Sequence, residues 1–144
     1  MTKPTQQFSL IALACGALLV CAAPSMAAMV DLKADLKASN EVPPNESKGA
    51  GSVIATFDTD SNKLSWKGTL SGLSGPVTAA HFHTAEAGRN GAVAVPIMGA
   101  DKGSFEGAAT LTDTQAEALM AGKWYVNIHT ATQKAGEIRG QLTK

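Results

Sequence analysis

Apolar and polar positions alternate along much of the chain after residue 29. From Val30 to Ala38, Val30, Leu32, Ala34 and Leu36 alternate with Asp31, Lys33, Asp35 and Lys37. A period of two predicts a half-buried β-strand. The run Asn40–Asn45 cannot extend it, because Pro43 and Pro44 lack the ladder donor and restrict their predecessors. Gly51–Asp58 repeats the alternation through Val53, Ala55 and Phe57, and Lys63–Leu70 through Leu64, Trp66, Gly68 and Leu70. Turn chemistry in Asp58–Asn62 joins these two as a hairpin. Further strands are predicted at Val77–Thr84, Ala92–Met98, Ser104–Leu111, Trp124–Thr130 and Glu137–Leu142. Ala92–Met98 is apolar throughout and reads as buried, although Pro96 points to an edge or bulge. Thr112 and Gln115 have capping-box spacing, so a short helix is expected over Asp113–Ala121, stopped by Gly122. Eight short strands and one helix predict an all-β antiparallel Greek-key sandwich or barrel.

The N-terminus has a different pattern. Lys3 precedes an apolar run from Phe8 to Ala23, then Pro24-Ser25-Met26-Ala27. This is the layout of a secretory signal peptide over residues 1–27, with cleavage expected after Ala27 and Ala28 as a nearby alternative. The run falls short of the ~20 residues of a comfortable membrane span. Val20 before Cys21 fits a lipoprotein signal poorly. The expected product is one domain, residues 28–144, periplasmic or secreted, with no membrane segment after cleavage.

Processing changes what composition means. The 144-residue chain has 12 basic and 12 acidic residues, two cysteines and three histidines. Both cysteines, Cys15 and Cys21, lie in the predicted signal, so the exported domain has no disulfide despite a permissive compartment. Removing Lys3 leaves a net charge of −1, which argues against a nucleic-acid partner. The remaining 117 residues hold one modest core and no second domain.

Histidine is the scarce residue that carries the candidate chemistry. In Val77–Thr84 one face holds Val77, Ala79, His81 and His83, and the other holds Phe82, which marks the core. In Trp124–Thr130, Val126 and Ile128 face the core, leaving Tyr125, Asn127 and His129 opposite. All three histidines are thus expected on the non-core side. Strand positions i and i+2 stand about 6.6 Å apart on one face. Two imidazoles there can lean onto one ion, and His129 from a neighbouring strand can complete a three-nitrogen site. Imidazole suits copper and zinc, and three ligands leave a position open. The competing interpretation is surface histidines in a hydrogen-bond network.

Other polar positions attach to this region. Glu137 and Arg139 share a strand face, which reads first as a surface ion pair with a neighbouring strand. The alternative is that Glu137 orients a histidine N–H and fixes its tautomer, with Asn127 able to do the same. Tyr125 reads as packing, Arg89-Asn90-Gly91 as a turn, and Glu41-Val42-Pro43-Pro44 as a rigid extended connector. Met98 and Met120 read as core, with soft ligation of Cu(I) as a lesser option. No nucleophile elbow, P-loop, dinucleotide fingerprint or HExxH run is present, and no catalytic residue is assigned.

Asn40-Glu41-Val42-Pro43-Pro44, Ala79-Ala80-His81-Phe82-His83, Asn90-Gly91, Gly122–Thr130 and Gly136–Leu142 together resemble the CHRD domain, named for chordin and found in secreted bacterial proteins. The resemblance runs from about Val30 to Leu142 and implies a secreted β-sheet domain. A weaker likeness is to copper–zinc superoxide dismutase, where a His-x-His strand and a distant histidine hold copper on a Greek-key barrel. That likeness would match His81, His83 and His129 to copper ligands and Arg139 to the late arginine. It lacks the bridging histidine, the long zinc loop and the disulfide, and so implies at most a mononuclear copper site. The leading expectation is therefore a binding domain holding copper or zinc. A metal-free structural or protein-interaction module and a copper-dependent dismutase-like enzyme are the alternatives.

Overall fold

The structure, a computed structural model, describes residues 28–144; the predicted signal peptide lies outside the described residues. Eight strands form: β1 (Met29–Lys37), β2 (Ala50–Asp58), β3 (Lys63–Ser71), β4 (Val77–Thr84), β5 (Ala92–Pro96), β6 (Ser104–Thr110), β7 (Trp124–Thr130) and β8 (Ile138–Gln141). One helix, α1 (Asp113–Met120), connects β6 to β7.

The period-two pattern sets the strand faces. Leu32, Ala34 and Leu36 of β1 are buried and the charged residues between them are exposed. Val53, Ala55 and Phe57 of β2, and Leu64 and Trp66 of β3, continue the same core. In the β2–β3 hairpin, Asp58 Oδ1 accepts from the backbone N–H groups of Asp60 (2.9 Å) and Ser61 (3.3 Å). Asn62 takes the left-handed conformation (φ 54°) that lets the chain reverse. Gly68 is paired with Phe105 of β6, and a Cβ there would lie 2.4 Å from the Phe105 ring. The missing side chain is what admits Phe105 to the core. Both halves of the capping box at α1 are made: Gln115 N–H donates to Thr112 Oγ1 (3.2 Å) and Thr112 N–H donates to Gln115 Oε1 (2.9 Å). Gly122 follows at φ 74°.

All strand pairs are antiparallel, in the order β5-β4-β7-β8-β1-β2-β3-β6. The sheet curls into a nearly closed barrel whose seam lies between β5 and β6. A short 3₁₀ helix, Ala100–Lys102, spans that seam and touches both β4 and β6. The β3–β4 connection passes over β6 and β5, and the β6–β7 connection, carrying α1, passes over β5 and β4. These returns give the Greek-key topology.

One prediction fails along β5. The strand ends at Pro96, Ala92 and Val93 are exposed, and Met98 is 76% exposed instead of belonging to the core. An edge strand has a neighbour on one side only, and the pairing with β4 slips between Phe82 and His83. Val95 and Ile97 still point inward and are buried. Met120 packs against the core as expected.

The outer face of β4-β7-β8 is not left to solvent. The segment 38–49 lies across it, with Asn45 Nδ2 donating to the carbonyls of Gly136 (3.3 Å) and Glu137 (3.1 Å). The 85–91 loop covers it from the other end, where Gln141 Nε2 donates to Ala85 O (3.0 Å). Glu41 of the first strap is buried against the sheet, and beneath the straps lie the buried polar residues His83, Asn127, Glu137 and Arg139.

Candidate metal centre

The three histidines come together on this outer face. β4 and β7 are adjacent, and Ala79 pairs with His129, which places His129 diagonally across from His81. Core residues Phe82 and Val126 point the other way. Ring centroids are 5.5 Å apart for His81–His83, 5.3 Å for His81–His129 and 6.3 Å for His83–His129. One ring nitrogen from each lies within 4.8 Å of the other two. Ligation of one ion at 2.0–2.1 Å implies nitrogens about 3.3–3.6 Å apart. The cluster therefore needs only a small inward shift of the rings.

Hydrogen bonds fix what two of these rings offer. His83 Nδ1 lies 3.0 Å from Gly91 O, and His129 Nδ1 lies 3.0 Å from Lys134 O. A carbonyl only accepts, so each Nδ1 carries the hydrogen and each Nε2 keeps its lone pair. His83 Nε2, His129 Nε2 and His81 Nδ1 are buried without a hydrogen-bond partner. Three partnerless nitrogens in one cluster need a shared explanation, since buried polar atoms are ordinarily satisfied. Burial pushes the imidazoles of His81 and His83 below the usual histidine range, with the neighbouring histidine charges adding to the effect. Both thus favour the neutral form that a metal requires.

A layered stack supports His83. Its ring lies parallel to Tyr125, with centroids 4.9 Å apart and planes 4° from parallel. The Arg139 guanidinium lies 4.2 Å from the centroid of the Tyr125 ring. The Tyr125 hydroxyl accepts from Gly91 N–H (3.2 Å), so the loop carrying the His83 acceptor is tied to the same stack. Arg139 also donates to Arg89 O (3.2 Å) and to Asn90 Oδ1 (2.8 Å). Tyr125 is packing, as expected, and Arg89-Asn90-Gly91 is a turn that also anchors the histidine.

Glu137 and Arg139 are not a surface pair. Glu137 is fully buried and Arg139 is 5% exposed. The straps, which have no periodicity linking them to the sheet, exclude the solvent that a surface pair requires. Arg139 pairs instead with Glu41 at 3.1 Å, a residue the sequence left in a plain connector. Burial raises the Glu41 carboxyl above the usual range, against the opposing pull of Arg139 and of the hydrogen bond from Asn127. Asn127 donates to Glu41 and to Ile138 O (3.2 Å), so neither of its partners is a histidine. Glu137 also holds no histidine. Its carboxylate accepts from Ser47 Oγ (2.5 Å), Ser74 N–H (2.7 Å), Ser74 Oγ (2.9 Å) and Thr130 Oγ1 (2.5 Å), pinning three segments together. Burial pushes that carboxyl upward, and the four donors together bring it below the ordinary range.

Gly136 completes the arrangement. At φ 135° it occupies backbone space that disfavours other residues, and a Cβ there would meet Asn127 and the Glu41 carboxylate at 2.7–2.9 Å. The cue that pointed to Glu41 and Gly136 lay in the Asn40–Pro44 and Gly136–Leu142 runs, not in any chemical spacing. The pairing of Arg139 with Glu41 also neutralises the cation that a dismutase-like reading would use to attract an anion.

No curated protein and no solved structure matches the chain. The CHRD domain family matches residues 32–142. That span holds both straps, all three histidines and every strand apart from the first three residues of β1, and the chain belongs to the CHRD domain family.

Proposed function

We propose that this CHRD domain is an exported binding module that holds one copper or zinc ion through His81 Nδ1, His83 Nε2 and His129 Nε2. The observation that carries this reading is the set of three buried, partnerless nitrogens on neighbouring strands. The rings of His83 and His129 are held by carbonyls on their far nitrogens, as metal-bound imidazoles commonly are. An N-terminus with the form of a secretory signal supports export. Sequencing the N-terminus of protein purified after expression of the full chain tests export, with Ala28 as the expected first residue.

Titration calorimetry of the purified protein with Cu(I), Cu(II) and Zn(II) tests the site. One equivalent is expected to bind, with loss of binding in the triple His81→Ala, His83→Ala, His129→Ala variant. Undiminished affinity in that variant would sink the assignment. The pH profile adds a second test. Protons compete with the metal only below each histidine pKa, and those of His81 and His83 lie below the ordinary 6.5. Proton competition at His81 and His83 should therefore set in at lower pH than at an ordinary histidine, and binding should weaken as pH falls. Without metal, depressed histidine pKa values mean that the unfolded chain takes up protons first. The metal-free protein should therefore lose stability as pH falls below 6.5.

A further inference from the structure

Three nitrogen ligands leave a coordination position free, and one of the three histidines, His81, also lines a neighbouring groove. The groove has a volume of about 410 Å³ and contains Ala79, His81, Pro96 and Met98 in its walls. His81 pairs with Pro96, and Ile97 N–H donates to Ala80 O (2.8 Å), so the pairing continues past the end of β5. Met98 then comes level with Ala79, whose other neighbour is His129. Pro96 and Met98 are exposed and Ile97 is buried, so Met98 projects on the same outer side as His81. It stands on the diagonal from His81, a separation of about 7–8 Å that a long side chain can bridge. Ala79 lies between them and presents only a methyl group. At 76% exposure, Met98 is not packed in place.

We propose that Met98 is the fourth ligand of the histidine site, swinging over Ala79 so that its thioether closes on the ion when that ion is Cu(I). This inference rests on the three-histidine reading and sharpens it. Thioether sulfur is a soft ligand that selects Cu(I), whereas Zn(II) is well served by imidazole and water. An exposed ligand just past the end of an edge strand also gives the ion an exit. The three histidines sit on paired strands, and the methionine can leave without disturbing them. Such a site suits an ion that is captured and passed on as Cu(I).

The test compares the wild-type protein with Met98→Ala and Met98→Leu, using Cu(I) against a chromophoric Cu(I) chelator without oxygen, Zn(II) titration, and X-ray absorption of the copper-loaded forms. Both substitutions fall on an exposed side chain outside the core, so folding is not at stake. Expected is a loss of Cu(I) affinity of at least about tenfold in both variants with Zn(II) affinity unchanged. A sulfur scatterer should be present on copper in the wild type and absent from both variants. Retained Cu(I) affinity in Met98→Leu, or no sulfur on wild-type copper, overturns the methionine ligand while leaving the histidine site standing. Failure of the wild type to bind copper or zinc, or binding that survives loss of all three histidines, overturns both.

Discussion

Replacing Arg139 with Met removes a buried charge while keeping the length of the side chain, and its consequences can be worked through. Arg139 and Glu41 have side chains 6% and 3% exposed, so solvent cannot replace the lost partner. Breaking a buried pair by removing one member costs about 3–5 kcal/mol. The guanidinium also holds Arg89 O and Asn90 Oδ1 and stacks on Tyr125, so the 85–91 loop loosens with it. In a domain of roughly 100 residues each kcal/mol shifts the melting temperature by about 4 °C, which puts the expected drop near 12–20 °C.

The pH dependence separates this mechanism from simple loss of packing. Burial already raises the Glu41 pKa above 4.5, and without Arg139 nothing nearby opposes the rise with a full positive charge. A carboxyl whose folded pKa is raised contributes stability below its unfolded pKa and loses it as pH rises through the folded value. Arg139→Met should therefore be most damaging at neutral pH and approach the wild type near pH 4. Adding Glu41→Gln should recover much of the loss at pH 7.5, because the stranded charge is then gone. Melts followed by the fluorescence of Trp66 and Trp124, both buried, read this out. A loss under about 1 kcal/mol at pH 7.5, or one that is the same at pH 4 and pH 7.5, refutes the argument that a desolvated ion pair fastens the 38–49 strap.

Two further substitutions test the scaffold. Glu137→Gln puts an amide N–H₂ among four donors and should cost about 3 kcal/mol at pH 7. The Glu137 pKa lies below 4.5, so its contribution is present above that pH and fades below it; denaturant melts should show the gap from wild type narrowing under acid, and a constant gap would show that the carboxylate charge is irrelevant. Thr112→Ala removes the side-chain half of the α1 capping box and should cost about 1 kcal/mol, or roughly 4 °C, in a calorimetric melt. An unchanged melting temperature there would mean that α1 is held by Ala116 and Leu119 in the core and not by its cap.

What could be read from the sequence follows the range of the interactions involved. Strand faces depend on neighbours two residues apart, so β1, β2 and β3 were legible from Leu32, Val53 and Leu64 and their alternating partners. The capping box depends on a separation of three and was legible for the same reason. Phase alone also placed His81 and His83 together, and put His129 on the matching side of its strand. Its convergence with them depended on β4 lying beside β7, which strand phase does not specify. Met98 went wrong because an apolar run carries no information about whether a second strand covers it, and β5 is an edge.

The shell around the histidines was hidden for a related reason. Glu41 meets Arg139 across 98 positions, and Ser47 meets Glu137 across 90. Neither pairing has a periodic signature, because the straps that bring them together are irregular segments containing Pro43, Pro44 and Gly91. A buried ion pair and a four-donor carboxylate are costly things to place on the outside of a barrel. They surround β7 and β8 on the side where the histidines sit, while the groove beside Met98 is lined by His81. The polar groups are thus concentrated around His83, through Gly91 and Tyr125, and in the proposed metal-binding role the groove side is left to admit an ion. This asymmetry ties the 38–49 and 85–91 straps to the proposed metal centre. If they served stability alone, Arg139→Met and Arg139→Met/Glu41→Gln would leave metal affinity unchanged; instead both variants should bind metal more weakly, even where the double variant recovers stability, because Arg139 holds Arg89 and Asn90 beside the Gly91 whose carbonyl orients His83.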